Sequence, residues 1–388
     1  MTCKLVSVVT ALLLFVSCDA DLWNNDIDVQ YIENPLVVHT GDPVEIVYPL
    51  SDSSDICDTY NILDQGLLDS SSDIVVIGFW GDSTTGGISG FSWDGIQKWS
   101  VEYGTYGYAA GICVCNDSVF FSVQDEIPVV DAMSGEYLLS FSTGGMSDSL
   151  MLPVPGDYMP APKFTPVMEI RNNTLLWMSH KLLQKISYCG FITDFDYSYQ
   201  RYLRIHSIGE QWYIGMTEGH FDTLSLYKVP EINYSLQPCI SNMVLTDSSV
   251  IAALSYRDLV MEFDYNGQLI RTTNFGHRLS GPTQFTCTFQ VSFPGRFLLA
   301  DLDTDSAGNI YLLYTGYGVG QNGNAEIWRV NTVTGEARMA RLDHSGSAFT
   351  VCGDRVAVVV QTYEPGEGEE VVLLGTPSVY LYRIDWGV

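Results

Sequence analysis

Tight polar dipeptides punctuate this chain, and each lies between two short apolar runs. Asp94-Gly95 separates Gly90-Phe91-Ser92-Trp93 from Ile96-Gln97-Lys98-Trp99. Asn116-Asp117, Ser134-Gly135, Asn172-Asn173, Asn266-Gly267, Gly308-Asn309, Thr334-Gly335 and Gly353-Asp354 are set in the same way. Asn-Gly and Asp-Gly pairs favour primed turns, whose twist suits two antiparallel strands. Capped helical patterns are missing throughout. Residues 180–187 fit one helical turn, and equally a strand. The chain therefore reads as all-β.

Grouping the strands gives about seven units: 67–104, 109–145, 166–200, 202–238, 241–276, 298–342 and 345–386. Their spacing is close to the ~40–50 residues of a four-stranded propeller blade. A β-propeller with seven blades is expected, and six or eight also fit. The last unit supplies only three strands, Ala348–Val351, Arg355–Gln361 and Val379–Ile384. A fourth is available at Val44–Tyr48, where an N-terminal strand would close the ring and remove an exposed edge. Residues 43–388 are then the propeller and residues 19–42 a tether. Apolar residues make up 46% and aromatics 12%, enough to line every contact between blades. Trp99, Trp177 and Trp328 are read as such packing.

Residues 1–18 read as a targeting segment. Lys4 precedes an apolar run, Leu5–Val16, that is short for a bilayer span and suited to a signal peptide. Leu14-Phe15-Val16-Ser17-Cys18 resembles a bacterial lipobox, with Phe15 where that motif usually has Leu. The resemblance implies lipidation of Cys18, a membrane partner through that anchor, and a place in the cell envelope at the outer membrane, periplasmic or surface-exposed. Asp19 and Asp21 resemble an inner-membrane retention signal of enteric-type bacteria and also a surface-export signal of Bacteroidetes-type bacteria. Asp117-Ser118-Val119, Asp148-Ser149-Leu150 and Asp222-Thr223-Leu224 resemble the O-glycosylation signal of that second group.

Val129-Val130-Asp131-Ala132-Met133-Ser134-Gly135-Glu136-Tyr137 and Trp328-Arg329-Val330-Asn331-Thr332-Val333-Thr334-Gly335-Glu336 share one layout, and Phe91–Trp99 follows it with a closing Trp. These segments resemble the repeat of quinoprotein-type (PQQ-like) propellers, in which an Asp, a Ser/Thr-Gly turn and a Trp lock each blade. Asp264-Tyr265-Asn266-Gly267-Gln268 and Asp305–Tyr311 are similar to turns of NHL-type propellers. The resemblance spans about five units and concerns fold, because propellers host many functions.

Sequence signals for chemistry are sparse. The net charge is −28, with 46 acidic against 18 basic residues. This argues against nucleic acid as a partner, which requires clustered Lys and Arg. Asp301, Asp303 and Asp305 alternate as in an EF-hand-like calcium loop, but Ser306 stands where that loop has Gly and Leu312 where it has Glu. The competing reading is a solvated strand leading into a hairpin, and no cofactor is otherwise expected. The six histidines share no metal-binding spacing. Cys113 and Cys115 fall on one strand face and read as small buried apolar groups. A nucleophile elbow, a phosphate loop and a zinc motif are all missing.

In four-stranded blades the first-to-second and third-to-fourth turns share one end. The second-to-third loops and the blade-to-blade connections share the other. Most of the tight dipeptides fall at the first end. The long segments Trp80–Gly87, Thr217–Asp222, Gly316–Asn324, Thr362–Gly375, Gly144–Thr165 and His277–Arg296 fall at the second. Loops held by a rigid scaffold carry function. Trp80, Asp82, His220, Tyr317 and Tyr363 are therefore candidate contacts for a protein or glycan partner. The expected role is binding or scaffolding at the envelope, without chemistry of its own. The alternatives are an enzyme acting on glycans or another extracellular polymer, and a subunit of an outer-membrane assembly machine.

Overall fold

In a computed structural model of the chain, residues 29–32, 35–47, 68–80, 86–103, 109–115, 117–123, 126–142, 167–171, 174–183, 186–192, 200–208, 211–218, 222–229, 240–246, 248–254, 259–275, 297–305, 307–316, 325–344, 346, 348–360, 363–365, 371–373 and 378–387 are described. Among them there is no helix.

Three short strands come first: β1 (Val29–Tyr31), β2 (Leu36–Val38) and β3 (Val44–Val47). Sheet I contains β4 (Leu68–Ser70), β5 (Val75–Trp80), β6 (Gly86–Phe91) and β7 (Gln97–Tyr103). Sheet II contains β8 (Ala109–Cys115), β9 (Ser118–Val123), β10 (Glu126–Asp131) and β11 (Tyr137–Ser142). Sheet III runs through β12 (Val167–Arg171), β13 (Thr174–Leu183), β14 (Ile186–Ile192), β15 (Gln200–Ile208), β16 (Gln211–Glu218) and β17 (Asp222–Lys228). Sheet IV contains β18 (Ile240–Leu245), β19 (Ser249–Leu254), β20 (Leu259–Asp264) and β21 (Leu269–Asn274), with β1 added parallel to β21. Sheet V contains β22 (Phe297–Thr304), β23 (Ile310–Gly316), β24 (Glu326–Val330) and β25 (Ala337–Arg341), with β2 added parallel to β25. Sheet VI contains β26 (Ala348–Cys352), β27 (Arg355–Val360) and β30 (Ser378–Arg383), and β3 pairs antiparallel with β30. A separate hairpin, β28 (Tyr363–Pro365) and β29 (Val371–Leu373), lies between β27 and β30 in the chain.

Each sheet presents its first strand to its neighbours. β4 lies against β8, β8 against β12, β12 against β18, β18 against β22, β22 against β26, and β26 against β4. Sheets that follow one another through their first strands have a propeller-type arrangement.

The core is accordingly a set of layers between successive sheets. Strand periodicity explains how both faces are filled. In β19, Val250, Ala252 and Leu254 pack toward sheet III, while Ile251 and Ala253 pack toward sheet V. In β23, Ile310, Leu312 and Tyr314 join the layer between IV and V, and Tyr311 and Leu313 the layer between V and VI. In β27, Val356 and Val358 face sheet V, while Ala357 and Val359 join Val75, Ile77 and Ile46 between VI and I. Near-continuous apolar runs are the sequence imprint of strands buried on both faces.

Two expectations change. The units 166–200 and 202–238 are one six-stranded sheet, because β14 pairs with β15 from Ile192↔Gln200 to Tyr188↔Arg204. Nothing in local patterning distinguishes a connection within a sheet from one between sheets. Several turns also differ from the two-residue primed form. At Ser92, Asp264 and Asp305 the turn holds three residues, closed by Gly95, Gly267 or Gly308 at positive φ. This is the type I turn followed by a left-handed residue. Cys352↔Arg355 does enclose a two-residue loop, Gly353-Asp354.

Candidate functional site

The described ionisable groups that come together lie on first strands where sheets VI, V and I meet. Asp301 and Asp303 are two residues apart on β22, so both point to one side of the strand. Asp301 Oδ2 accepts from the Phe349 amide at 2.9 Å, and Asp303 Oδ2 from the Val351 amide at 2.8 Å. Sheet V is thereby clamped to the first strand of sheet VI. Asp69 on β4 does the same for sheets I and II, its Oδ2 accepting from the Val114 amide at 2.6 Å. Across the VI–I boundary, the Ser70 and Thr350 hydroxyls are 3.1 Å apart, and the Thr350 hydroxyl donates to Asp69 Oδ1 at 3.4 Å.

The electrostatics follow from this crowding. Burial, then the neighbouring Asp69 charge, pushes the Asp303 carboxyl from its ordinary value of 3.8 up to about 7, with Asp301 adding and the amide donors opposing. Burial also raises the Cys352 thiol, against the pull of Arg355. The arrangement can hold a proton at Asp303 near neutral pH. Its carboxylates otherwise accept main-chain amides and, at Asp69, the Thr350 hydroxyl.

The Asp301–Asp305 run leads into the β22–β23 hairpin, as the competing reading of the sequence has it, but Asp301 and Asp303 reach to the next sheet. Asp301 is 4% exposed, so this is no solvated strand. Asp305 turns away into its own hairpin, where Oδ1 accepts from the amides of Ala307 and Asn309 and Oδ2 from Asn309 Nδ2 and the Tyr311 hydroxyl. The three carboxylates do not converge, and among the described residues no group of three His, Cys, Asp or Glu side chains could hold a metal. The spacing of two between Asp301 and Asp303 is visible in the sequence. The partner amides 48 residues further on are not.

Cys18, Asp82, His220 and Tyr317 lie outside the described residues. Trp80 ends β5 and Tyr363 begins β28, and both are described in backbone only. The β5–β6, β23–β24 and β27–β30 connections are second-to-third connections of their sheets, as the sequence suggests. The β16–β17 connection, which includes His220, is not. It is the fifth connection of sheet III and leaves at the same end as β12–β13 and β14–β15. The merger of two units therefore moves that connection to the opposite end of the sheet.

Trp99, at the closing position of the repeat, donates from Nε1 to the Ala132 carbonyl of the next sheet at 2.8 Å. It lies over Gly135, where an added Cβ would come within 2.8 Å of the indole. Trp328 is fully buried, in edge contact with Phe275 at 5.8 Å. Cys113 is buried and Cys115 half-buried.

No protein-family model and no curated protein matches the chain. Several solved structures are similar to it. The Pan2 WD40 domain of Neurospora crassa is 11% identical, with a TM-score of 0.44 over 90% of this chain and 97% of that one. YCF48 bound to D1 peptide is 9% identical, with a TM-score of 0.41 over 92% and 99%. A putative exported protein of Bacteroides fragilis is 11% identical, with a TM-score of 0.37 over 92% and 99%. At these values the similarities give no residue a role.

Proposed function

We propose that this protein is a six-bladed β-propeller, closed by β3, that serves as a binding scaffold at the cell envelope and is tethered through a lipidated Cys18. The observation that carries the reading is the use of its inner carboxylates. Asp69, Asp301 and Asp303 each accept a main-chain amide from the neighbouring sheet. Groups spent on holding blades together make a rigid frame. Rigid frames with long connections at one end present binding loops. The six sheets become six blades because sheet III takes in two of the seven units expected from spacing.

The partner, a protein or a glycan, is held at the end that carries the β5–β6, β23–β24 and β27–β30 connections. Trp80, Asp82, Tyr317 and Tyr363 are the proposed contacts. The test is photo-crosslinking in intact cells, with a photoreactive residue placed at Asp82 or Tyr317 and, as a control, at Gln268 in the β20–β21 turn of the opposite end. Adducts of one defined mass from the first two positions alone support the reading. Adducts from Gln268 alone would contradict it. Palmitate labelling of the wild type, lost in Cys18→Ala, tests the anchor.

A further inference from the structure

The outer edges of the sheets are not treated alike. β1 runs parallel along β21 and β2 along β25, while β3 closes the outside of sheet VI. The N-terminal segment therefore covers three consecutive outer edges. Among the described residues, β11 of sheet II has no strand on its outer side.

β11 belongs to a hairpin that repeats the one under β2. Asp131 Oδ1 accepts from the amides of Met133 and Ser134, as Asn331 Oδ1 does from Val333 and Thr334. Gly135 donates to the Asp131 carbonyl as Gly335 does to Asn331. Counting from the glycine, Leu138, Leu139 and Ser140 stand where Arg338, Met339 and Ala340 pair with Leu36, Val37 and Val38. An edge left open is normally protected by charge. β7, another edge uncovered among the described residues, carries Lys98 and Glu102, whereas β11 reads Tyr-Leu-Leu-Ser-Phe-Ser. Tyr137, Leu138 and Leu139 are 61%, 49% and 44% exposed.

We infer that β11 is a docking edge for an extended segment of a partner protein, laid parallel along Leu138–Ser140 as β2 is laid along β25. Strand addition supplies main-chain hydrogen bonds, and alternate side chains supply selectivity. Charge fixes the kind of segment. On the covered edge β25, Arg338 and Arg341 pair with the flanking Glu336 and Glu326. β11 has no basic residue and is flanked by exposed Glu126 and Glu136. Its occupant is therefore an apolar, β-branched strand with basic flanks. A second copy of this chain, at −28, is repelled. This edge is separate from the loop contacts proposed above and does not depend on them.

The test uses the mature full chain and a fluorescein-labelled synthetic peptide with a Leu-Val-Val centre between lysine pairs. Anisotropy should show saturable binding, and exchange of the amides of residues 137–142 should slow when the peptide is added. Leu138→Lys and Leu139→Lys, each checked for unchanged thermal unfolding, should weaken binding at least tenfold, and so should glutamate flanks on the peptide. Equal binding by both variants, protection elsewhere, or no binding would overturn the inference. So would slow exchange, in the free protein, of those amides of residues 137–142 that do not bond to β10, since the edge would then already be covered from within the chain.

Discussion

Replacing Asp303 by Asn should stabilise this protein, and by an amount that depends on pH. In the wild type, Asp303 accepts the Val351 amide at 2.8 Å with Asp69 and Asp301 close by, and its carboxyl titrates at about 7. In the unfolded chain an Asp titrates near 3.8. The folded state thus binds more protons than the unfolded state between those values. Stability is highest below the unfolded value and falls as pH rises through the window from about 4 to about 7. The whole displacement corresponds to roughly 4 kcal/mol at about 1.4 kcal/mol per pH unit. Asp303 retains some solvent exposure, and relaxation reduces the effect to about 1–3 kcal/mol. Asn removes the charge and keeps an oxygen to accept the Val351 amide, at the cost of the acceptor for the Thr304 amide. Urea unfolding followed by tryptophan fluorescence should show Asp303→Asn gaining on the wild type from pH 4 to pH 7, with a plateau above. A variant equally or less stable at pH 8 would refute the reasoning, because the carboxylate would then be ionised and favourably bonded.

Three further outcomes follow from packing. Gly135 and Gly308 both have positive φ, but an added Cβ meets the Trp99 indole only at Gly135. Gly308→Ala should therefore cost about 1 kcal/mol from backbone strain, and Gly135→Ala about 1–3 kcal/mol more from overpacking, compared by chemical denaturation. Trp328→Ala should cost about 3–5 kcal/mol and lower Tm markedly, since the indole is fully buried against Phe275 and Tyr314. Cys352, whose thiol is raised mainly by burial, should react with iodoacetamide at pH 7 more slowly than a free cysteine, scored by peptide mass; rapid alkylation would show a solvated thiolate.

The parts of the fold legible in the sequence are those with a local signature. Dipeptides such as Asn266-Gly267 and Thr334-Gly335 do join the strands on either side. Val44–Tyr48, noticeable because the last unit lacks a strand, pairs with β30 as Val44–Val47. What lacks a local signature is not legible. Residues 29–38 read as tether, because three-residue strands added parallel to a distant edge have no turn and no alternation of their own. The boundary between units 166–200 and 202–238 looks like all the others, yet the chain pairs straight across it. Asp301 and Asp303 suggest a cation because alternation resembles a calcium loop. Each also accepts an amide from another sheet, which spacing along one strand cannot reveal.

The proposed function rests on a closed ring of sheets, in which the last would lie against the first. Ser70 on β4 and Thr350 on β26 meet at that junction, with hydroxyls 3.1 Å apart although 280 residues separate them. The most direct measurement is therefore oxidation of the double variant Ser70→Cys, Thr350→Cys, with peptide mapping to identify the bond. A closed ring predicts a disulfide between the two introduced thiols in high yield and greater resistance to unfolding, by up to about 5 kcal/mol for so long a loop. Failure of the two thiols to join, or their pairing with other cysteines instead, would contradict it.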